Sequence, residues 1–258
     1  MPLTSEDWHQ RYLEQAQWTG SLREYLFRKS GLTGAKRILD IGCGTGALEL
    51  DFRLDSGKLP IGLDIDRSAL TLARKNLSFF PVIQGNAQRL PFDTGMFEIS
   101  FCHFVLLWVE SPTQVVHEMA RVTKPGGSVM ALAEPDYGGR IDYPKELSQI
   151  GQWQIHALRN QGADPETGRK LLEHFNHAGL IEIEVGVIGG RWTTDNSMVN
   201  IESEWKVIEA DLETLTLSAS EKASFLRLKK QDAAAWQEGR RVLFVPVFYA
   251  WGKVPGLS

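Results

Sequence analysis

Three short runs carry side chains whose types and spacing define a binding chemistry: Asp40-Ile41-Gly42-Cys43-Gly44-Thr45-Gly46, Gly62-Leu63-Asp64-Ile65-Asp66 and Gln84-Gly85-Asn86-Ala87. In the first, alternate glycines where a strand turns into a helix let the main chain bend tightly. They also let a ligand approach it without meeting a Cβ. Gly42, Gly44 and Ala47 equally satisfy the GxGxxA fingerprint of nicotinamide dinucleotide sites, so the loop by itself leaves the ligand open, or is an ordinary glycine-rich turn. Asp64 follows Gly46 by eighteen residues, at the end of the next strand, where a carboxylate accepts hydrogen bonds from both hydroxyls of a ribose. The alternative is that Asp64 or Asp66 caps the helix that follows. Asn86 offers an amide oxygen to an adenine amino group and Ala87 a backbone N–H to a ring nitrogen; a plain Asn/Gly turn is the competing reading.

The elements that must position these runs follow from the hydrophobic pattern. Short apolar strands are expected at residues 35–41, 60–63, 81–84, 97–102 and 128–133, with helices at 47–54, 68–77 and 113–122 between them. Such alternation implies a doubly wound, Rossmann-like α/β fold with a mostly parallel sheet. Lys124-Pro125-Gly126-Gly127 reads as a helix stop and turn feeding the fifth strand. Beyond Asp136 the pattern predicts helices at 144–160 and 169–178, a strand at 181–188, helices at 198–214 and 220–240, and a last strand at 242–251. That pair completes a seven-stranded sheet whose last strand is antiparallel. Residues 5–29 read as one or two amphipathic helices. The expected division is a helical lid over 1–34, a binding core over 35–136, and the remainder of the sheet with a helical cap insertion over 137–258, all in one domain.

The runs LDIGCGTG, GLDID, GNAQRLPF, FEISFCHFVLLWV and KPGGSVMALAEPD, in this order and each ending a predicted strand, resemble the class I S-adenosylmethionine-dependent methyltransferases of the ubiquinone-biosynthesis type. The resemblance covers about residues 35–136. It implies that Asp40, Gly42, Gly44 and Gly46 form the loop against the methionine part of the donor. Asp64, with Ile65 beside it, would hold the ribose, and Asn86 with Ala87 would read the adenine. Asn86 stands where the family more often has Asp, which keeps an acceptor oxygen and removes a charge. His103 would lie beneath the donor's sulfur facing the acceptor, as a contact or a general base, the alternative being local packing. The N-terminal helix, with Arg11, Tyr12, Gln15, Trp18 and Thr19, is similar to a family lid over the donor.

Glu134, Asp136, Tyr137 and Arg140 leave the fifth strand at the same carboxyl-end rim, where ligands bind in open α/β sheets, so Asp136 and Tyr137 join His103 as catalytic candidates. A loop that is polar only to suit water is the alternative. Methyl transfer from a sulfonium requires alignment and exclusion of water before it requires a base. Trp8, Trp18, Trp153, Trp192, Trp205 and Trp236 fall in the lid and cap, where an aromatic or hydrophobic small-molecule acceptor would be accommodated; they are equally suited to an apolar core.

The 258 residues are 43% hydrophobic with a net charge of −4, which disfavours a nucleic-acid partner. Cys43 and Cys102 lie far apart without CxxC company, so no disulfide, zinc or other metal site is expected, and a reducing cytoplasm fits. No run approaches a membrane span and MPLTSEDWHQ lacks a signal-peptide layout. Two rivals remain open: a nicotinamide-dependent oxidoreductase, and a partner protein that binds the donor without turning it over.

Overall fold

The structure is a computed structural model and describes residues 3–49, 59–190 and 201–256. Five strands run as an all-parallel set: β1 (Ile38–Ile41), β2 (Ile61–Asp64), β3 (Val82–Gln84), β4 (Phe97–Cys102) and β5 (Thr123–Pro135). β1, β4 and the second half of β5 are near-continuous buried runs because both sheet faces are covered there. Leu39 and Ile41 of β1, Phe97 and Cys102 of β4, and Val129 and Ala131 of β5 pack into one core. Ile38, Ile99, Phe101, Met130 and Leu132 point the other way into a second core.

Helices close each face. α1 (Ser5–Trp18) begins at a capping box in which Thr4 Oγ1 accepts from Asp7 N while the Asp7 carboxylate accepts from Thr4 N. α2 (Gly20–Lys29) places Leu26 and Phe27 in the second core. α3 (Arg67–Asn76) starts where the Asp66 side chain accepts from Ser68 N. α4 (Pro112–Val122) has proline in its first turn, where no intrahelical N–H is lost, and buries Val115, Val116, Met119 and Val122 on the first core.

The chain continues through β6 (Ile141–Tyr143), α5 (Ser148–Asn160), α6 (Leu171–His177), β7 (Ile181–Ile188), α7 (Ile201–Glu213), α8 (Ala219–Gln237), β8 (Val242–Phe244) and β9 (Val247–Lys253). The main sheet has the order β3-β2-β1-β4-β5-β9-β7, with β9 antiparallel to both neighbours. The seven-stranded, mostly parallel sheet with an antiparallel last strand therefore stands as expected. The strand expected over 242–251 is corrected: Pro246 cannot donate to a ladder and separates β8, which pairs with β6 in a second two-stranded sheet, from β9. The Lys124-Pro125-Gly126-Gly127 turn is absorbed into β5 as a bulge, between Thr123 opposite Phe97 and Ser128 opposite Ile99.

α5, α7 and α8 form a cap with its own core of Ile150, Trp153, Trp205, Ile208, Leu212 and Leu228. Residues 47–49 begin the helix after β1; its continuation to residue 54, residues 198–200 and Trp192 lie outside the described residues. Among the described residues no helix is long and apolar enough to cross a membrane.

Candidate active site

The strand order runs outward in one direction from β1 through β2 to β3 and in the other through β4 and β5, so a crevice opens at the carboxyl ends of β1 and β4. Gly42, Gly44 and Gly46 take φ of 74°, 53° and 74°, a left-handed backbone that costs side-chain-bearing residues energy. A Cβ on Gly42 would also collide with Val105. Gly42 N and Cys43 N donate to Leu63 O, and Gly44 N donates to Asp64 Oδ2 at 2.8 Å, so β2 holds the loop in place. Asp64 Oδ1 accepts from Asp66 N at 2.9 Å. Each of its oxygens retains a second lone pair for a ligand.

The crevice is a cavity of about 470 Å³. Tyr12, Asp40, Gly42, Gly44, Asp64, Ile65, Asn86, Ala87, His103 and Tyr137 all line it. The structure thus gathers these from six stretches separated in sequence. Gly46 and Asp136 are outside the lining formed by the described residues. Gly46 packs near Ala73 and Phe80, setting the approach of α3. Asp136 takes two hydrogen bonds from Arg169, at 2.6 and 2.7 Å, and one from Gly139 N, so its carboxylate is committed away from the crevice.

Tyr12 stacks on Trp8 and lies over Gly44, with burial and then Asp64 pushing its hydroxyl up to about 12. Asn86 Oδ1 accepts from Gln88 N at 2.8 Å, so the residue both forms an Asx turn and faces the cavity. His103 hydrogen-bonds Thr19 Oγ1 at 3.0 Å, and burial, with Arg23 nearby, pushes its pKa down to about 3. It is neutral at physiological pH and a weak base there. Asp40 is 2% exposed, and burial, then the facing Glu49 carboxyl, hold it well above the usual carboxylate range.

Glu134 lies behind the crevice. Its buried carboxyl accepts from Val105 N and Leu106 N at 2.9 Å and Leu107 N at 3.3 Å, fixing the single turn Leu106–Trp108 that presents Leu107 and Trp108 to the cavity. Burial pushes this carboxyl up to about 7 against those three donors.

The sequence pattern predicts a cap over the acceptor but does not single out the residues of its far wall. Leu158 and Gln161 of α5's carboxyl end, with Val207 and Asp211 of α7, close the cavity beyond Tyr137. Asp211 accepts from Gln154 Nε2 at 2.9 Å and Gln161 Nε2 at 3.2 Å, while Arg140 donates to Gln154 Oε1 at 2.6 Å. The available signal was two glutamines seven apart, and so on one helical face, beside the buried Ile150, Trp153 and Ala157. Of the tryptophans expected over the acceptor, Trp8 lines the cavity and Trp153 and Trp205 pack inside the cap. Trp236 is likewise buried, and Trp18 is 51% exposed with Arg11 over its ring. Trp108, not singled out by sequence, joins Trp8 on the cavity wall.

A glycine loop, a strand-end aspartate and a crevice at the switch point of a doubly wound sheet define an α/β enzyme domain for an adenosine-bearing ligand. Residues 39–131 match the family model described as a methyltransferase domain. The demethylmenaquinone methyltransferase of Lactococcus lactis subsp. lactis is 31% identical over 192 residues, covering 63% of this chain and 72% of that protein. An uncharacterized methyltransferase of Schizosaccharomyces pombe is 27% identical over 215 residues, covering 78% of this chain and 77% of that one. A crystal structure of the cyclase SpnF superposes with a TM-score of 0.57 at 18% identity, covering 92% of this chain and 82% of that one, and shows the fold alone.

The chain belongs to the class I S-adenosylmethionine-dependent methyltransferases. It is a transferase that uses this sulfonium donor, and the oxidoreductase alternative is set aside. The residues present fit the donor: Asp40 lines the cavity with Oδ1 free of any donor among the described residues, an acceptor suited to a cationic ligand, and Gly44 leaves a slot under the Tyr12 ring.

Proposed function

We propose that this chain transfers the donor's methyl group to a compact small-molecule acceptor with an apolar body and one hydrogen-bonding group. The observation that carries the reading is the continuity of the cavity, from Asp64 and Asn86 at one end to Tyr137 and Asp211 at the other. Asp64 takes the ribose hydroxyls, Asn86 and Ala87 the adenine edge, and Ile65, 69% exposed, the face of the base. Gly42 and Gly44 admit the methionine portion, with Tyr12 closing over it and Asp40 facing its positive charge. Leu107, Trp108, Leu158 and Val207 wall the acceptor's apolar body, and Tyr137 and Asp211 orient its polar group.

The donor supplies a methyl group on an already activated leaving group; the protein's residues supply alignment and a dry site. His103 serves as packing and as a hydrogen-bond partner of Thr19, because a neutral, weakly basic imidazole is a poor proton acceptor. That a relative is named a demethylmenaquinone methyltransferase supports a small-molecule acceptor here.

Calorimetric titration of S-adenosylmethionine and S-adenosylhomocysteine, with Asp64→Ala as control and reduced nicotinamide as competitor, tests the donor half. Both sulfur ligands should bind, and the variant should bind at least about tenfold more weakly, as expected for losing a charge-assisted hydrogen bond. Preference for the nicotinamide, or unchanged affinity in the variant, overturns the assignment.

A further inference from the structure

Beneath the glycine loop, Asp40 and Glu49 set two buried carboxyl groups facing one another inside the protein. They are 2% and 0% exposed. Asp40 Oδ1 and both Glu49 oxygens receive no hydrogen bond from a donor among the described residues. Asp40 lines the cavity, and Glu49, in the first turn after the loop, stands behind it.

Two carboxylates this close in a dry setting do not both ionise; they hold one proton between them. Among the described residues, the groups around them are mostly neutral or negative. Arg23 of α2 faces Glu49 and favours its ionised form, but its guanidinium also donates to Ala16 O and Thr19 Oγ1. His103, after β4, is neutral, and Asp64, at the end of β2, adds further negative charge. The Cys43 thiol is pushed up by burial and then by Asp40, Glu49 and Asp64, and the Cys102 thiol by burial and then by Glu134 and Asp40, so both stay protonated.

We propose that Asp40 and Glu49 share a single proton in the donor-free protein and release it to solvent when the cationic donor binds, making Glu49 a positioning residue that sets the pH dependence of donor affinity. The inference rests on the donor reading above. The donor brings an ammonium and a sulfonium against one carboxylate, and this net positive charge stabilises a second negative charge on the pair. No bond to the donor forms or breaks; one O–H bond is exchanged for a protonated buffer molecule. Because binding releases a proton, affinity rises with pH, by up to about tenfold per unit where release is complete.

The test is titration of the full chain with S-adenosylmethionine near pH 7 in buffers of different ionisation heat, whose slope counts protons, together with donor affinity from about pH 6 to 8. Release approaching one proton and affinity rising with pH are expected of the native chain. Glu49→Gln keeps the shape and offers Asp40 an amide N–H, and should bind the donor with release near zero and a flat profile. Donor binding without proton release, a flat profile in the native chain, or release that persists in Glu49→Gln overturns the inference while leaving the donor reading intact. Absence of donor binding overturns both. The native-chain measurements stand even if the variant does not fold.

Discussion

Single atoms in the crevice serve two partners at once. Asn86 Oδ1 already holds Gln88 N, so its value to an adenine lies in the remaining lone pair. Asn86→Asp should preserve the turn, add a charge-assisted acceptor and leave donor affinity equal or a few-fold higher, whereas Asn86→Ala frees Gln88 N and weakens it. Calorimetry on the pair decides; a large loss in Asn86→Asp would remove the residue from adenine recognition. At the other end, Tyr137 and Asp211 line the cavity. Tyr137→Phe and Asp211→Asn should lower kcat/KM for the acceptor by about tenfold or more each and leave donor affinity within about twofold. Equal losses for donor and acceptor would show that the two residues support the whole cavity and do not select the acceptor.

At the scale of elements, the turn Leu106–Trp108 shows how a wall residue is held by a group that never touches the ligand. Glu134 has an ordinary carboxyl value of 4.5 and is pushed up to about 7 in the folded chain, so its contribution to stability is full below 4.5 and is lost as pH rises through about 7. The loss amounts to at most about 3 kcal/mol. Glu134→Gln removes the titration, so the gap in Tm between native and variant should shift in the variant's favour between about pH 5 and pH 8. A gap independent of pH would place the titration elsewhere. What was legible in sequence follows the same division. The loops after β1, β2 and β3 were legible because turn glycines and short polar side chains act over a few residues. The β6–β8 sheet was not, since it pairs Asp142 with Leu243 across about a hundred residues and its boundary rests on one proline. Asp136 looked catalytic by position, and only the distant Arg169 shows where its charge goes.

For the whole molecule, lid and cap meet over the crevice through polar contacts. Arg11 of α1 pairs with Glu204 of α7 at 2.7 Å, Ser203 Oγ donates to Glu14 Oε2 at 2.6 Å, and Lys206 lies 3.9 Å from Asp7. The side chains of Arg11 and Glu204 are only 10% and 21% exposed, so this pair is little screened by solvent. With Trp8, Arg11, Tyr12 and Gln15 on one side and Val207 and Asp211 on the other, parting of α1 from α7 is the expected route by which the donor leaves. Glu204→Gln keeps an acceptor for Arg11 but removes the charge, and a charge-assisted hydrogen bond exceeds a neutral one by about 1 kcal/mol. That difference corresponds to a donor dissociation rate about fivefold faster, readable by stopped-flow displacement, with the association rate changed much less. The donor should still raise Tm by mass action in the variant, by less than in the native chain at the same concentration. An unchanged dissociation rate alongside a lower Tm would mean that the contact stabilises the fold without holding the lid, and that the donor leaves by another path.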